Sequence, residues 1–241
     1  MNGLLRRRLL KTIGLTIAGL SLQSAPARSS EPPPRESGLA SEGLLAGQPG
    51  FQPRTLAPLP YEELPGFLSR AQLASHHAEY ARMVEQMHAT ERALLGGELD
   101  AAVYADLRRK QVAAANDVLL HELYFRNLAP KKVAVLGYVE RNMREHMGSL
   151  AAWAADFAVC AQAARAWAAL VYDPYDDRWH NTVMDSDLDG VWIGANPLVV
   201  CDVSDHAYRP DYRNRQKYVE KFLEHIDWEQ VAARYRRVDR M

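Results

Sequence analysis

Residues 197–235 read PLVVCDVSDHAYRPDYRNRQKYVEKFLEHIDWEQVAARY. The apolar run at 197–202 has the length and composition of a short buried strand. Two helices follow it, one near 213–225 and one opening at Asp227, with Gln230 three residues on as its capping-box partner. Between strand and helices stand Asp202 and His206, four residues apart. A carboxylate and an imidazole at a strand end can be aimed at one point, although that spacing alone does not define a site.

Working back from this stretch, 167–172 and 179–184 read as strands joined by the turn DPYDD at 173–177, and 136–147 and 149–164 read as helices. Before them lies a different pattern. Ser69, with Gln72 three residues later, has the form of a helix N-cap and its box partner, and Gly96-Gly97 marks a stop, so 69–95 is expected as one long helix. Leu73, His76, Tyr80, Met83, Val84 and Met87 fall on one face of it. A second long helix, about 100–127, ends before Pro130. Two long helices joined by a Gly-rich corner make an antiparallel hairpin. The expected fold class is therefore α+β: a helical hairpin over 57–130, then a mixed domain with a small antiparallel sheet over 131–241.

The N-terminus carries an address. Arg6, Arg7, Arg8 and Lys11 precede an apolar run from Thr12 to Leu22 and the small-x-small site Ala25-Pro26-Ala27, the order of an export signal over 1–27. The run is too short to span a bilayer ~30 Å thick. Its arginines are similar to a twin-arginine signal, with Leu5 where Ser or Thr is usual, and point to a periplasmic or otherwise exported protein. That route suits a protein loaded with its cofactor before export. Residues 28–56, rich in Pro, Ser and Gly, read as a flexible linker.

Composition narrows the chemistry. Over 241 residues, 29 basic and 30 acidic residues leave a net charge of −1, and loss of 1–27 removes four basic and no acidic residues, leaving 25 against 30. Such a balance argues against nucleic acid as a partner. Two cysteines, Cys160 and Cys201, cannot build a sulfur-ligated zinc or iron–sulfur site. Cys201 reads as a small buried hydrophobe, and pairing with Cys160 is open to it in an oxidising compartment. Any metal falls to histidine and carboxylate, and there are eight histidines. His76, His77 and His121 lie on long helices, where a histidine on an apolar face commonly serves as a hydrogen-bonded core residue. His88, His146, His180 and His225 lie among polar residues and read as surface groups. Taken with Asp202 and His206, one histidine from each long helix gives three nitrogens and one oxygen, a set that suits Fe or Mn as well as Zn.

Three stretches carry a family resemblance. LPYEELPGFLSRAQLASHHAEY at 59–80, HELYFRNLAP at 121–130 and the opening stretch at 197–235 resemble the iron/manganese superoxide dismutase family. The resemblance implies His76, His121, Asp202 and His206 as ligands of one Fe or Mn ion per subunit, held between the hairpin and the α+β domain. It further implies superoxide as substrate, converted to dioxygen and hydrogen peroxide, and a homodimer meeting near Asp205–Tyr208.

Around those ligands the chain departs from the family pattern. Where the family has a tyrosine gating the substrate funnel, this chain has Val84; where it usually has a histidine meeting the partner subunit, Tyr80 stands, open to either role or to simple packing. The Gln or His that hydrogen-bonds metal-bound solvent in the family aligns with Asp117 on the second helix or Asp187 before the strand at 197–202, or with Asp185 if the register shifts. Asp187, Tyr80 and Asp117 are accordingly the expected solvent-orienting groups. An ionised carboxylate there only accepts hydrogen bonds, which lowers the expected reduction potential unless the group is protonated or turned away. Two aromatic positions become Phe125 and Ser204, the first keeping an apolar wall and the second rehydrating it. The expected activity is dismutation of superoxide, with a metal-binding protein of little turnover, or another small-oxidant metalloenzyme, as the alternatives.

Overall fold

The computed structural model describes residues 54–96, 98–189, 191 and 193–238. The export signal expected at 1–27, and the linker up to residue 53, lie outside the described residues.

Two long helices, α1 (Arg70–Leu94) and α2 (Ala101–Arg126), pack together as the hairpin. Side-chain caps set where each begins. Ser69 Oγ accepts from the Gln72 amide at 3.1 Å, and Asp100 Oδ1 accepts from Ala102 and Val103 at 2.8 and 3.1 Å. Each bond satisfies an amide that the first turn leaves without an intrahelical partner. Leu73, His76, Tyr80, Val84 and Met87 of α1 are buried at three- and four-residue steps, whereas Met83 is only partly covered. The reciprocal half of the expected capping box does not form. The Gln72 side chain reaches across to the His206 carbonyl at 2.8 Å, and the Ser69 amide is taken by Asp211 Oδ2 at 2.6 Å.

After α3 (Gly137–Met147) and α4 (Leu150–Ala163) comes a three-stranded antiparallel sheet of β1 (Trp167–Asp173), β2 (Arg178–Met184) and β3 (Asn196–Asp202), ordered β2-β1-β3. Central β1 is buried along its whole length, with α4 packed on it, which accounts for its unbroken apolar sequence. Both β1 and β2 run one residue further into the turn than the sequence suggests. Asp177 closes that turn at φ 54°, a left-handed conformation its short polar side chain tolerates. A single helical turn, α5 (Asp205–Tyr208), follows β3 and was not expected from the sequence. The helix expected at 213–225 begins later, as α6 (Arg215–Glu224), because Asn214 caps it through Gln216 N at 2.7 Å. Asp227 caps α7 (Trp228–Val238) through Glu229 N and Gln230 N.

Asn127 and Arg234 join the hairpin to the sheet. The Asn127 amide pairs with β3 as a strand would, donating to Val200 O at 2.8 Å and accepting from Val200 N at 3.2 Å. Arg234 of α7 donates to Asn127 Oδ1, Leu198 O and Leu123 O at 2.7, 2.9 and 2.9 Å. These bonds place the end of α2 beside β3, and so bring His121 toward Asp202. The cysteines do not pair: both are free thiols, and Cys201 is fully buried.

Candidate metal centre

Four elements each bring one side chain capable of metal ligation to a single point: His76 from α1, His121 from α2, Asp202 from the end of β3 and His206 from α5. Their donor atoms all lie within 4.8 Å of one another. Asp202 Oδ2 is the common point, 2.9 Å from His76 Nε2, 3.0 Å from His206 Nε2 and 3.9 Å from His121 Nε2. The carboxylate is fixed from behind, since its Oδ1 accepts from Ser204 N at 2.8 Å and its backbone carbonyl from the Tyr218 hydroxyl at 2.8 Å. With its one proton given to that carbonyl, Tyr218 accepts from the Tyr124 hydroxyl at 3.1 Å, and Tyr124 packs against the His76 ring at 4.9 Å.

Burial of Asp202 works against its charge, yet hydrogen bonds with His206 and His76 outweigh it and hold the carboxyl well below the usual range. His76 goes the other way, because burial pushes its imidazole toward the neutral form. His121 is drawn by burial toward neutrality and by Asp117 and Asp202 toward charge, and the carboxylates prevail. At His121 Nδ1 the Asp117 carbonyl lies 2.9 Å away and Asp117 Oδ1 also 2.9 Å. That contact puts a ring proton on Nδ1 and leaves Nε2 as the nitrogen that faces Asp202. Nε2 is buried and has no hydrogen-bond partner. A buried unpartnered imidazole nitrogen beside an ionised carboxylate and two further imidazoles is what a divalent cation satisfies, and three nitrogens with one oxygen fit Fe or Mn.

The groups expected to orient solvent are placed unequally. Asp117 lies behind the His121 ring and acts on that imidazole. Asp187 accepts from Trp167 Nε1 at 3.0 Å, and the Trp167 ring meets His121 edge-on at 5.0 Å, so this carboxyl borders the centre. Burial, then the charge of Asp117, push Asp187 upward. Asp185 is exposed and ties to Arg165, accepting from its amide at 3.0 Å, away from the Trp167 contact that Asp187 makes. Tyr80 is engaged differently. Its ring stacks on His121 at 6.1 Å, but its hydroxyl donates to Glu122 Oε1 at 3.0 Å and accepts from Ala57 N at 3.0 Å, so it is spent on the network that Arg54 completes with Glu122. Val84 is buried, Phe125 packs on His76 at 5.0 Å, and Ser204 is used by its amide to hold Asp202.

Sequence reasoning passed over Gln72, Glu122, Trp167 and Tyr218 as parts of this site. Only Gln72 carried a local signal, and it pointed to a cap. A second group, Asp173, Asp176 and His180, also brings ligating atoms within 4.8 Å. Its atoms serve the β1–β2 turn: Asp173 accepts from Tyr175 N, and Asp176 from Arg178 N and His180.

A helical hairpin and an α+β half that enclose a three-histidine, one-aspartate cluster, buried except at His206, define a class of mononuclear metal protein. Residues 136–234 match the family described as iron/manganese superoxide dismutases, C-terminal domain. A manganese superoxide dismutase of Haloferax volcanii is 33% identical over 189 residues, covering 75% of this chain and 94% of the relative. An iron superoxide dismutase of Cupriavidus metallidurans is 29% identical over 178 residues, covering 70% of this chain and 88% of the relative. The chain belongs to the iron/manganese superoxide dismutase family.

Proposed function

We propose that this protein dismutates superoxide to dioxygen and hydrogen peroxide, as an exported homodimer with one Fe or Mn ion per subunit held by His76, His121, Asp202 and His206. The observation that carries the reading is the buried, unpartnered His121 Nε2 facing Asp202 among two further imidazoles. When bound, the ion supplies one-electron redox chemistry. The residues supply its setting: Asp202 offers an ionised carboxylate, Asp117 fixes the His121 tautomer, and Phe125 and Trp167 wall the centre from bulk water. Asp187, held by Trp167, is the carboxyl placed to hold or release a proton at the edge of the centre.

Dimerisation is supported by His206, whose side chain is 39% exposed although it faces a fully buried Asp202, and by the exposed Asp205 beside it. A second subunit covering Asp205–Tyr208 would seal that side. Export rests on residues 1–27 alone. No described helix is long and apolar enough to cross a membrane.

Metal content and superoxide turnover measured on one purified sample test the reading, with stoichiometric Fe or Mn and turnover well above free ion expected. Stoichiometric metal without turnover selects a second reading, a metal-binding family member without dismutase activity. Val84 and the engaged Tyr80 hydroxyl favour that alternative, since neither offers a free phenol at the centre.

A further inference from the structure

His206 is held unlike the other three residues of the cluster. His76 and His121 sit inside helices of 25 and 26 residues, and Asp202 sits in the sheet. His206 sits in a helix of four residues with its side chain partly exposed. Continued helically, its carbonyl would accept from the amide four residues on, but that residue is Pro210, which has no N–H. Gln72 Nε2 meets the carbonyl instead, at 2.8 Å, from a position one turn before His76 on α1. Gln72 is fully buried and its Oε1 has no partner. The single bond to His206 therefore sets which way the amide faces, because the reverse would oppose two carbonyl oxygens. Asp211 and Tyr212 fasten the same loop to the segment before α1, Asp211 to Ser69 N and Oγ at 2.6 and 2.8 Å and Tyr212 to Phe67 O at 2.7 Å.

We infer that Gln72 is a positioning residue for His206: it registers the α5 turn against α1 and so sets the His206 imidazole relative to His76 and Asp202. The inference rests on the reading of His206 as a metal ligand. It assigns to tertiary positioning a residue whose sequence context signals only a helix cap.

In the full chain, Gln72→Glu separates the two roles. Glutamate suits the first turn of a helix as a box partner, but its carboxylate would repel the His206 carbonyl. Gln72→Met removes the donor at similar length. Cobalt(II) serves as the probe, followed by equilibrium dialysis and ligand-field absorption, with thermal unfolding of the metal-free proteins alongside. The expected result is that both metal-free variants still unfold cooperatively, Gln72→Met closer to wild type than Gln72→Glu with its buried carboxylate, while both bind cobalt(II) about 10-fold more weakly with shifted absorption bands. Affinities and spectra matching wild type, in a series where His206→Ala loses cobalt(II), overturn the inference alone. A His206→Ala protein that binds cobalt(II) like wild type overturns the ligand reading and the inference with it.

Discussion

His121 and His206 point at the same oxygen of Asp202, and the protein holds them by opposite means. His121 is buried within a long helix whose own hydrogen bonds fix its backbone, and the Asp117 four residues earlier on that helix fixes its ring. His206 rides a single turn, half in solvent, and borrows its anchor from a residue 134 positions away. The hairpin side of the cluster is thus positioned locally and the C-terminal side by contacts across the fold. The oxygen between them is the part both sides need.

Replacing that oxygen should have the largest effect. Asp202→Ala is expected to lower metal retained after dialysis by more than about 100-fold, beyond the ~10 to 100-fold typical of losing an outer partner. Retention by the variant would show that the imidazoles alone hold the ion. The joint between the halves should follow. Asn127→Ala removes the amide that pairs with Val200 and receives Arg234, and should cost about 2–4 kcal/mol in urea unfolding, since it strands buried groups on β3 and α7.

The contrast between the two imidazoles is sharpened by truncating each in the metal-free protein. His121→Ala should cost about 2 kcal/mol, because it empties a buried site and leaves Asp117 unpaired, whereas His206→Ala, on a partly exposed turn, should cost about 1 kcal/mol, through the hydrogen bond it withdraws from the buried Asp202. Equal losses would mean that α5 is as firmly built as α2. Asp117→Ala should weaken metal binding about 10-fold by freeing the His121 ring, with titration by a chelator as the measure.

The smallest effect expected is a pH dependence at Asp187. Burial and Asp117 raise its folded value above the unfolded one, so the fold favours the neutral form. The stability this group permits is full below about pH 4 and falls as pH rises through the raised value. Metal-free Asp187→Asn should therefore match wild type near pH 4 and exceed it near pH 7 in denaturant unfolding. A gap that stays constant with pH would place the cause elsewhere.

Much of the molecule is legible in its sequence. The helix starts at Ser69 and Asp100, the apolar run of β1 and the stretch from β3 into α7 follow from caps and periodicity, which act over a few residues. The short helix α5 escaped, because a single turn has no period to read. Around the cluster, residue type was visible and direction was not. Asp117 and Asp187 look alike as carboxylates, yet one lies behind His121 and the other is drawn to Trp167, 20 residues before it. Tyr80 looked free to serve the centre until Glu122 and Ala57 claimed its hydroxyl.

By itself the sequence determined the succession of hairpin and α+β half and the four residues that resemble a ligand set. The tertiary structure decided which polar groups turn toward that set, which turn away, and that Gln72 serves His206 rather than its own helix. The reason is physical: backbone preference and apolar periodicity are settled among near neighbours, while a long polar side chain goes to whichever partner the folded chain brings within hydrogen-bond reach.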